Sequence, residues 1–272
     1  MKKFDGILIC TDLDGTLLNS EKRVSKENTE AIEYFKSEGG YFTFITGRMP
    51  FFVDAMYNAV KPNAPIGCVN GAGLYDYPNK KYIWTATMGE GVNELIRAVD
   101  EQVSDIGIQV NTYYRTLFCK ENVVMANFRA ATNVPNIVCH YDDVTEPVGK
   151  ILFGGNDDQI EQVQQILLSH PLAERFDFVR SERALYEILP KNIGKGVAID
   201  NLVKYLNIDP KRTFAIGDYN NDISMFRAAR YGIAVANACP DAKAAADFVT
   251  VSNDEHAIAK LISDIEKGVY TF

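Results

Sequence analysis

Short apolar runs alternate with amphipathic helical stretches over the first seventy residues of the chain. The runs are rich in β-branched and aromatic residues, as expected for strands that are buried on both faces, and they lie at Ile7–Cys10, Tyr41–Ile45 and Ile66–Val69. The same alternation returns after Pro190, with a further strand predicted at Thr213–Gly217. Strands that alternate with helices predict a parallel sheet with right-handed crossovers.

The middle of the chain has a different pattern. Two longer helical stripes, at 92–103 and 160–167, separate several strand-like stretches, and we expect one strand to extend from Ile108 to Phe118. A sheet with helices on one side is the simplest arrangement for this segment. We therefore predict a Rossmann-like, doubly wound α/β core of residues 1–83 and 189–272, interrupted by an inserted α+β domain of residues 84–188.

Composition and charge narrow the functional classes. The 272 residues carry a net charge of −8, which argues against a nucleic-acid-binding surface. No apolar run is long enough for a membrane span, and the N-terminal apolar stretch is too short for a signal peptide. The five cysteines are widely spaced and include no C-x-x-C pair, so we expect no disulfide framework, no zinc site and a cytoplasmic location.

The first predicted strand is followed at once by Asp12-Leu13-Asp14-Gly15-Thr16. Carboxylates so close together repel each other and resist burial unless a positive charge lies nearby. Ligands of open α/β sheets bind at the carboxyl ends of the strands, where this stretch is placed. A polar turn that caps the next helix would use the same residue types, and on this stretch alone the two interpretations are equally good.

Three further polar clusters occur at comparable places in the core pattern: Thr46-Gly47, Lys195, and Asp218 with Asn221 and Asp222. The carboxyl ends of parallel strands share one edge of a sheet, so residues distant in sequence are expected to meet there. Carboxylates, a lysine, a hydroxyl and glycine amides are the groups that metal-assisted phosphoryl transfer needs. Mg²⁺ suits a site with few carboxylates.

The stretches Asp12–Thr16, Thr46-Gly47-Arg48, Lys195 and Gly217–Asp222 resemble, in this order, the four motifs of the haloacid dehalogenase superfamily. An insertion of about 105 residues, 84–188, lies between the second and third motifs, and its placement and size are similar to those of the α/β cap (C2B type) of the Cof-type sugar-phosphate phosphatases. The resemblance implies a Mg²⁺-dependent phosphatase that hydrolyses small phosphorylated metabolites, among them sugar phosphates, through an aspartyl-phosphate.

The resemblance also implies roles for individual residues. Asp12 resembles the family's nucleophile, and Asp14 resembles the general acid and base. An acid must be protonated part of the time, so we expect the neighbours of Asp14 to raise its pKa. The metal would be held by the carboxylates of Asp12 and Asp218 and by the main-chain carbonyl of Asp14.

The remaining motif residues are implied to bind the phosphoryl group or to support the site. Thr46, the Gly47 amide, Lys195 and Asn221 would bind phosphoryl oxygens. Thr16 would shape the first loop, and Asp222 would orient Lys195 or a water on the metal. Arg48 is either a substrate ligand or a surface residue, and Asn237 is a weaker candidate for the same edge.

Three alternatives to a phosphatase remain at this point. A phosphomutase of the same superfamily would carry the same motifs. A dehalogenase is disfavoured, because the family's dehalogenases lack the second aspartate and this chain has Asp14. A non-catalytic receiver-like module with a phosphorylated aspartate is disfavoured by Asp14 and by the large insertion. The expected partner is a small phosphorylated metabolite, with no nucleic acid and no membrane.

Overall fold

The structure is a computed structural model that describes residues 2–132 and 134–272. Its strands, in chain order, are β1 Leu8–Thr11, β2 Tyr41–Phe44, β3 Ile66–Cys68, β4 Gly73–Asp76, β5 Lys81–Thr85, β6 Gly107–Thr112, β7 Thr116–Lys120, β8 Val148–Gly154, β9 Phe176–Glu182, β10 Leu185–Pro190, β11 Thr213–Gly217, β12 Tyr231–Ala234 and β13 Phe248–Val249. Its helices are α1 Lys26–Ser37, α2 Asp54–Val60, α3 Val92–Gln102, α4 Val123–Thr132, α5 Asp157–Ser169, α6 Lys195–Leu206, α7 Ile223–Ala228, α8 Pro240–Ala245 and α9 Ala257–Glu266.

The chain divides into two compact units. The first contains Met1–Trp84 and Gly194–Phe272, and the second contains Thr85–Ile193. The predicted boundaries, 83/84 and 188/189, differ from these by one and five residues. The second difference has a simple cause, because β10 continues through Leu189 and Pro190, which pair with β9 of the second unit.

The first unit is built on a five-stranded parallel sheet in the order β13-β12-β11-β1-β2. β1 lies between β11 and β2 and pairs with both in parallel, which explains why all four of its residues are apolar or small and buried. Helices pack their apolar stripes on the sheet, and Ser25 is the N-cap of α1, where its hydroxyl accepts from the N–H of Asn28. The predicted α/β class with a parallel core sheet is confirmed.

A small sheet, β3-β4-β5, extends the first unit beyond β2. Ile45 forms a parallel bridge with Gly67, so β3 continues the direction of β2 at this edge. Val69 and Asn70, in the turn after β3, have φ angles of 54° and 51°. This left-handed turn places Asn70 beside the carboxyl end of β2, where its N–H donates to the carbonyl of Thr46 over 3.0 Å.

The second unit has a five-stranded sheet in the order β7-β6-β8-β10-β9. Every strand pair in it is antiparallel. The apolar stripes of α3 and α5 pack on one face, against side chains such as Val110, Ile151 and Ile188. This is an α+β arrangement, as the pattern of the middle segment predicts.

Three local features are not apparent from the sequence pattern. Residues 108–118 form a hairpin of β6 and β7, because the chain reverses at Tyr113–Arg115 between them. Helix α2 is preceded by a separate 3₁₀ turn, Pro50–Phe52. The edge strand β13 has only two residues, too few to show a period-2 pattern. Within the described part of the chain, no helix is long and apolar enough to cross a membrane.

Candidate active site

Asp12 and Asp218 directly follow two neighbouring parallel strands. β1 and β11 pair in register, and the N–H of Asp12 donates to the carbonyl of Ile216 over 2.9 Å. The pairing therefore places both aspartates at the same edge of the sheet, although they are 206 positions apart in the sequence. Thr46 follows β2 on the other side of β1, one residue beyond Ile45, whose N–H donates to Thr11.

Lys195 lies between two of the aspartates. Its ammonium nitrogen Nζ is 2.5 Å from Oδ1 of Asp12 and 2.5 Å from Oδ1 of Asp222, and the residue is only 1% exposed. A lysine at the first position of a helix is disfavoured by the helix dipole, and its burial is costly as well. Burial lowers the pKa of Lys195, but the two carboxylates outweigh that effect and hold the pKa above its usual range.

Asp222 is bound through both of its carboxylate oxygens. Oδ1 accepts from Lys195, and Oδ2 accepts from the backbone N–H groups of Asp218 and Tyr219 over 2.8 and 3.0 Å. Asp222 thereby fixes the loop after β11 and the position of the lysine at the same time. Gly217 leaves the room for it, because a Cβ there would lie 2.5 Å from the Asp222 carboxyl group.

The first loop contacts Asp218 directly. Thr16, which is fully buried, donates from its hydroxyl to Oδ1 of Asp218 over 3.0 Å. Gly15 has a φ of +85°, and a Cβ at this position would lie 2.6 Å from Oδ2 of Asp218. Only glycine fits both the backbone angle and this space. The amide of Asn237 holds the loop by donating to the Gly15 carbonyl over 2.8 Å, so this weaker candidate shapes the site's backbone.

The carboxylate cluster has too much negative charge for its one lysine. Ligand atoms of Asp12, Asp218 and Asp222 lie within 4.8 Å of one another. Burial raises the pKa of Asp12 to about 8, with further increases from Asp222 and Asp218 against the opposing charge of Lys195. Burial likewise raises the pKa of Asp218 to about 6. Three carboxylates with one ammonium would carry a net charge of −2 when ionised, which suits a divalent cation bound by oxygen ligands.

Asp14 faces a different set of charges. Nε and Nη2 of Arg48 donate to its two oxygens over 2.9 and 2.8 Å, and Nζ of Lys22 lies 3.5 Å from Oδ1. Partial burial favours the neutral acid, but the hydrogen bonds and charges of Arg48 and Lys22 outweigh it and hold the pKa of Asp14 below its usual range. The expectation of a raised pKa is therefore wrong for this arrangement, because it overlooked a bidentate arginine.

A second cluster of polar contacts lies near β2 and involves Thr46, Gly47 and Asn221. The hydroxyl of Thr46 accepts from the N–H of Arg48 over 3.2 Å. Nδ2 of Asn221 donates to Oδ1 of Asn70 over 3.2 Å, and a Cβ on Gly47 would lie 3.0 Å from that same oxygen. Asn70 therefore joins the loop after β11 to the loop after β2.

The sequence predicts most of the residues that meet in this site, but two of the contacts were not predicted. Asp12, Thr16, Lys195, Asp218 and Asp222 form one connected group, as the predicted sheet edge requires. The role of Asn70 was missed, although an Asn-Gly directly after a predicted strand was a usable signal. The pairing of Arg48 with Asp14 had no sequence signal, because it depends on side-chain geometry.

Comparisons with known proteins agree with this fold. A family model described as haloacid dehalogenase-like hydrolase matches residues 9–262. The Bacillus subtilis protein YxeH is 30% identical over 277 residues, covering 95% of this chain and 97% of its own. The 5-amino-6-(5-phospho-D-ribitylamino)uracil phosphatase YwtE of B. subtilis is 28% identical, covering 96% and 99%. A crystal structure of a haloacid dehalogenase-like hydrolase from Bacteroides thetaiotaomicron is 25% identical with a TM-score of 0.83, covering 95% and 99%.

The parallel sheet with aspartates at its carboxyl edge and the similarity to phosphatases define a phosphoric monoester hydrolase. The chain belongs to the haloacid dehalogenase-like hydrolases, in the Cof-type branch predicted from its motifs. Both predictions, of the family and of a phosphatase activity, are confirmed.

The pKa of Asp12 predicts how metal-free protein responds to pH. Because the folded-state pKa lies above the ordinary value of about 4, the folded chain binds this proton more tightly than the unfolded chain. The contribution of Asp12 to folding therefore becomes less favourable as pH rises from about 4 to about 8. We expect Asp12→Asn to raise the free energy of unfolding, by on the order of a few kcal/mol at pH 8 and by less at pH 5.

The measurement is urea denaturation in the presence of a chelator at both pH values. Asp200→Asn is the matched control, because Asp200 is exposed on α6, the same helix that begins with Lys195. It should change stability little at either pH. A wild-type protein more stable than Asp12→Asn at pH 8 would contradict the assignment of an uncompensated buried charge.

Proposed function

We propose that this protein is a Mg²⁺-dependent phosphatase that hydrolyses small phosphorylated metabolites, in particular sugar phosphates, with Asp12 as the nucleophile. The observation that carries the proposal is the buried Asp12 carboxylate, with one oxygen held by Lys195 and with Asp14 two residues further along the same loop. YwtE, a relative over almost its whole length, is named for a substrate with a phosphorylated ribityl chain. The five thiols are free, which supports a cytoplasmic location.

The donor set fits a magnesium ion. The carboxylates of Asp12 and Asp218, with the main-chain carbonyl of Asp14, would hold it, while both oxygens of Asp222 are already bound by Lys195 and backbone N–H groups. When bound, Mg²⁺ supplies positive charge that stabilises the phosphoryl oxygens in the transition state. It would also favour the ionised form of Asp12 that attack requires.

The chain's own residues carry the two chemical steps. A carboxylate oxygen of Asp12 forms a bond to phosphorus while the bond from phosphorus to the ester oxygen breaks, and Asp14 gives its proton to the departing alcohol. Water then attacks phosphorus, Asp14 takes a proton from it, and the bond between Asp12 and phosphorus breaks. Lys195 stabilises the charge on Asp12 throughout, and Thr46, the Gly47 amide and Asn221 bind phosphoryl oxygens.

A phosphate-ester panel with Asp12→Asn and Asp14→Asn tests the nucleophile. We expect Asp12→Asn to lower kcat by at least about 10⁴-fold, because no covalent intermediate can form. With p-nitrophenyl phosphate, whose leaving group needs little help from an acid, Asp14→Asn should release a stoichiometric burst of nitrophenol. Slow turnover should follow, because water then lacks its base.

Mass spectrometry should find the phosphoryl group on Asp12 in the Asp14→Asn protein, and Asp200→Asn should behave as wild type. Turnover that survives Asp12→Asn would remove the nucleophile assignment. Transfer of the phosphoryl group to another hydroxyl of the substrate would indicate a mutase. Phosphorylation of the wild type without turnover would indicate a receiver-like module.

Removal and return of the metal test the cofactor. A chelator should abolish turnover of the wild type and millimolar Mg²⁺ should restore it, because the cluster's negative charge otherwise repels the phosphate dianion. Mg²⁺ should also raise the melting temperature of the wild type. Asp218→Asn should weaken this thermal response, with an apparent Mg²⁺ affinity lower by on the order of 100-fold. Full activity in the presence of the chelator would exclude a metal requirement.

Arg48 determines when Asp14 is able to act as an acid. In the structure the bidentate pair favours the ionised carboxylate, so a proton reaches the leaving group only after Arg48 releases Asp14. The charge of a bound phosphate is a natural competitor for the guanidinium.

Arg48→Met should raise the pKa of Asp14, because it removes the main charge that lowers it. We expect the alkaline limb of the kcat/KM profile, which reports the free enzyme, to move to higher pH, and KM to rise if Arg48 also binds phosphate. The measurement is a pH–rate profile on an alkyl phosphate, whose leaving group requires protonation. Arg23→Met is the control, since Arg23 lies on an exposed turn and pairs with the nearby Glu21. An unchanged alkaline limb with the Arg48 variant would show that Arg48 does not govern the proton.

A further inference from the structure

Three consecutive residues after β3 have left-handed backbone angles. The φ angles of Val69, Asn70 and Gly71 are 54°, 51° and 90°. Glycine and asparagine adopt such angles readily, but a β-branched residue with a positive φ is strained. We call this segment, Val69–Gly71, the left-handed turn. Strain of this kind persists only where the surrounding structure fixes the backbone, and it is concentrated at functional sites.

Two backbone hydrogen bonds attach the left-handed turn to the loop after β2. The N–H of Val69 donates to the carbonyl of Arg48 over 3.0 Å, and the N–H of Asn70 donates to the carbonyl of Thr46 over 3.0 Å. Between these two bonds lies Gly47, whose amide is a proposed phosphoryl ligand. A Cβ on Gly47 would lie 3.0 Å from Oδ1 of Asn70, so the loop and the turn pack closely. The turn therefore fixes the backbone of this loop.

The side chain of Asn70 reaches the loop after β11. Its Oδ1 accepts from Nδ2 of Asn221 over 3.2 Å, although the two residues are 151 positions apart. Asn70 is 3% exposed, so its side chain is shielded from water. The nitrogen of an amide carries two N–H donors, and this contact occupies one of them. Asn70 thereby determines the direction of the Asn221 amide and leaves its second N–H for another acceptor.

The end of the left-handed turn packs against the beginning of α6. A Cβ on Gly71 would lie 2.2 Å from the carbonyl oxygen of Gly194 and 3.1 Å from Cα of Lys195. Both this close approach and the φ of 90° require glycine. The turn therefore contacts the three segments that carry Thr46, Lys195 and Asn221, which are all proposed to act on the phosphoryl group.

We propose that Asn70 is a positioning residue, which holds the amide of Asn221 in the orientation that donates to a phosphoryl oxygen. The inference rests on the proposed function, because it takes Asn221 as a phosphoryl ligand. It also explains the strain at Val69, since one turn must bind the loop after β2 through its backbone and the loop after β11 through its side chain. Asn70 itself takes no part in the chemical steps.

A double-mutant cycle between Asn70 and Asn221 tests the inference. Asn70→Gly removes the side chain and keeps the turn, because glycine adopts a positive φ without strain. Asn221→Ala removes the proposed ligand. We expect each change to weaken the binding of orthovanadate, a phosphate analogue, by about tenfold in titration calorimetry with Mg²⁺. The double variant should also be weakened only about tenfold, because Asn70 acts through Asn221.

Turnover gives a second measure of the same cycle. For Asn70→Gly, kcat/KM should fall about tenfold on p-nitrophenyl phosphate and on a hexose phosphate alike, because the two esters share only the phosphoryl group. Asn70→Asp is the conservative variant, since aspartate keeps an acceptor oxygen and tolerates a positive φ. In the Asn70→Asp background, Asn221→Ala should again cost about tenfold, because the amide of Asn221 is held once more.

Asn207→Gly is the matched control. Asn207 has a φ of 52° and is exposed at the end of α6 opposite to Lys195, so the same substitution is made at the same backbone angle away from the site. It should leave orthovanadate binding and the melting temperature close to those of the wild type. Asn70→Ser, whose hydroxyl oxygen is one bond shorter than the amide oxygen, replaces Asn70→Gly if the glycine variant does not fold.

The outcomes are distinguishable. Equal orthovanadate affinities of Asn221→Ala and the double variant support the inference. Losses that add in the double variant would show that Asn70 only maintains the fold, and wild-type affinity of Asn70→Gly would show that the contact has no effect; either result overturns the inference. If the wild type binds orthovanadate but hydrolyses no phosphate ester, the proposed function fails by itself, and the calorimetry still decides the inference. If turnover occurs without measurable orthovanadate affinity, the same cycle on kcat/KM decides it.

Discussion

The buried ammonium of Lys195 holds the first unit's catalytic edge together. It is the positive charge between Asp12 and Asp222, and both contacts are 2.5 Å. Without it, carboxylates from two separate loops would repel each other in a region where water is scarce. Asp222 completes the arrangement, because the oxygen that does not bind the lysine accepts two backbone N–H groups of the loop that carries Asp218. One cation thus fixes the nucleophile candidate and, through Asp222, the metal-ligand candidate.

The two aspartates of the first loop are kept in contrasting surroundings. Asp12 is buried beside other carboxylates, and its pKa is raised, whereas Asp14 is paired with an arginine, and its pKa is lowered. The resemblance assigns them to attack and to proton transfer, which require the opposite protonation states in the first step. The resting arrangement therefore suits neither role until its charges are rebalanced. A divalent cation at Asp12 and an anionic substrate near Arg48 are the two changes that would do so.

The sequence supports the main architecture, and the reasons can be seen in particular residues. β1, β2 and β11 are apolar runs in which every side chain is buried or nearly so, and a parallel sheet then places the residues that follow them at one edge. Asp12, Thr46 and Asp218 were predictable on that basis, whereas Lys195 follows no strand of this sheet and was identified from the order of the motifs. The hairpin at Tyr113–Arg115 was not, because the aromatic residues there hide the turn. The pairing of Arg48 with Asp14 was also beyond reach, since it is set by loop geometry rather than by spacing.

The position of β1 between β11 and β2 in the core sheet has a consequence for how the protein is made. β1 needs β11 on one side and β2 on the other, and β11 begins only at Thr213, after the whole second unit. Before β11 is synthesised, the second unit is already complete and can fold from one continuous segment. The first unit at that time still lacks β11, the middle strand of its sheet. Until then, the N-terminal eighty residues expose the apolar edge of β1 that later pairs with β11. A nascent chain that stalls before Thr213 therefore contains a complete second unit and an incomplete first unit.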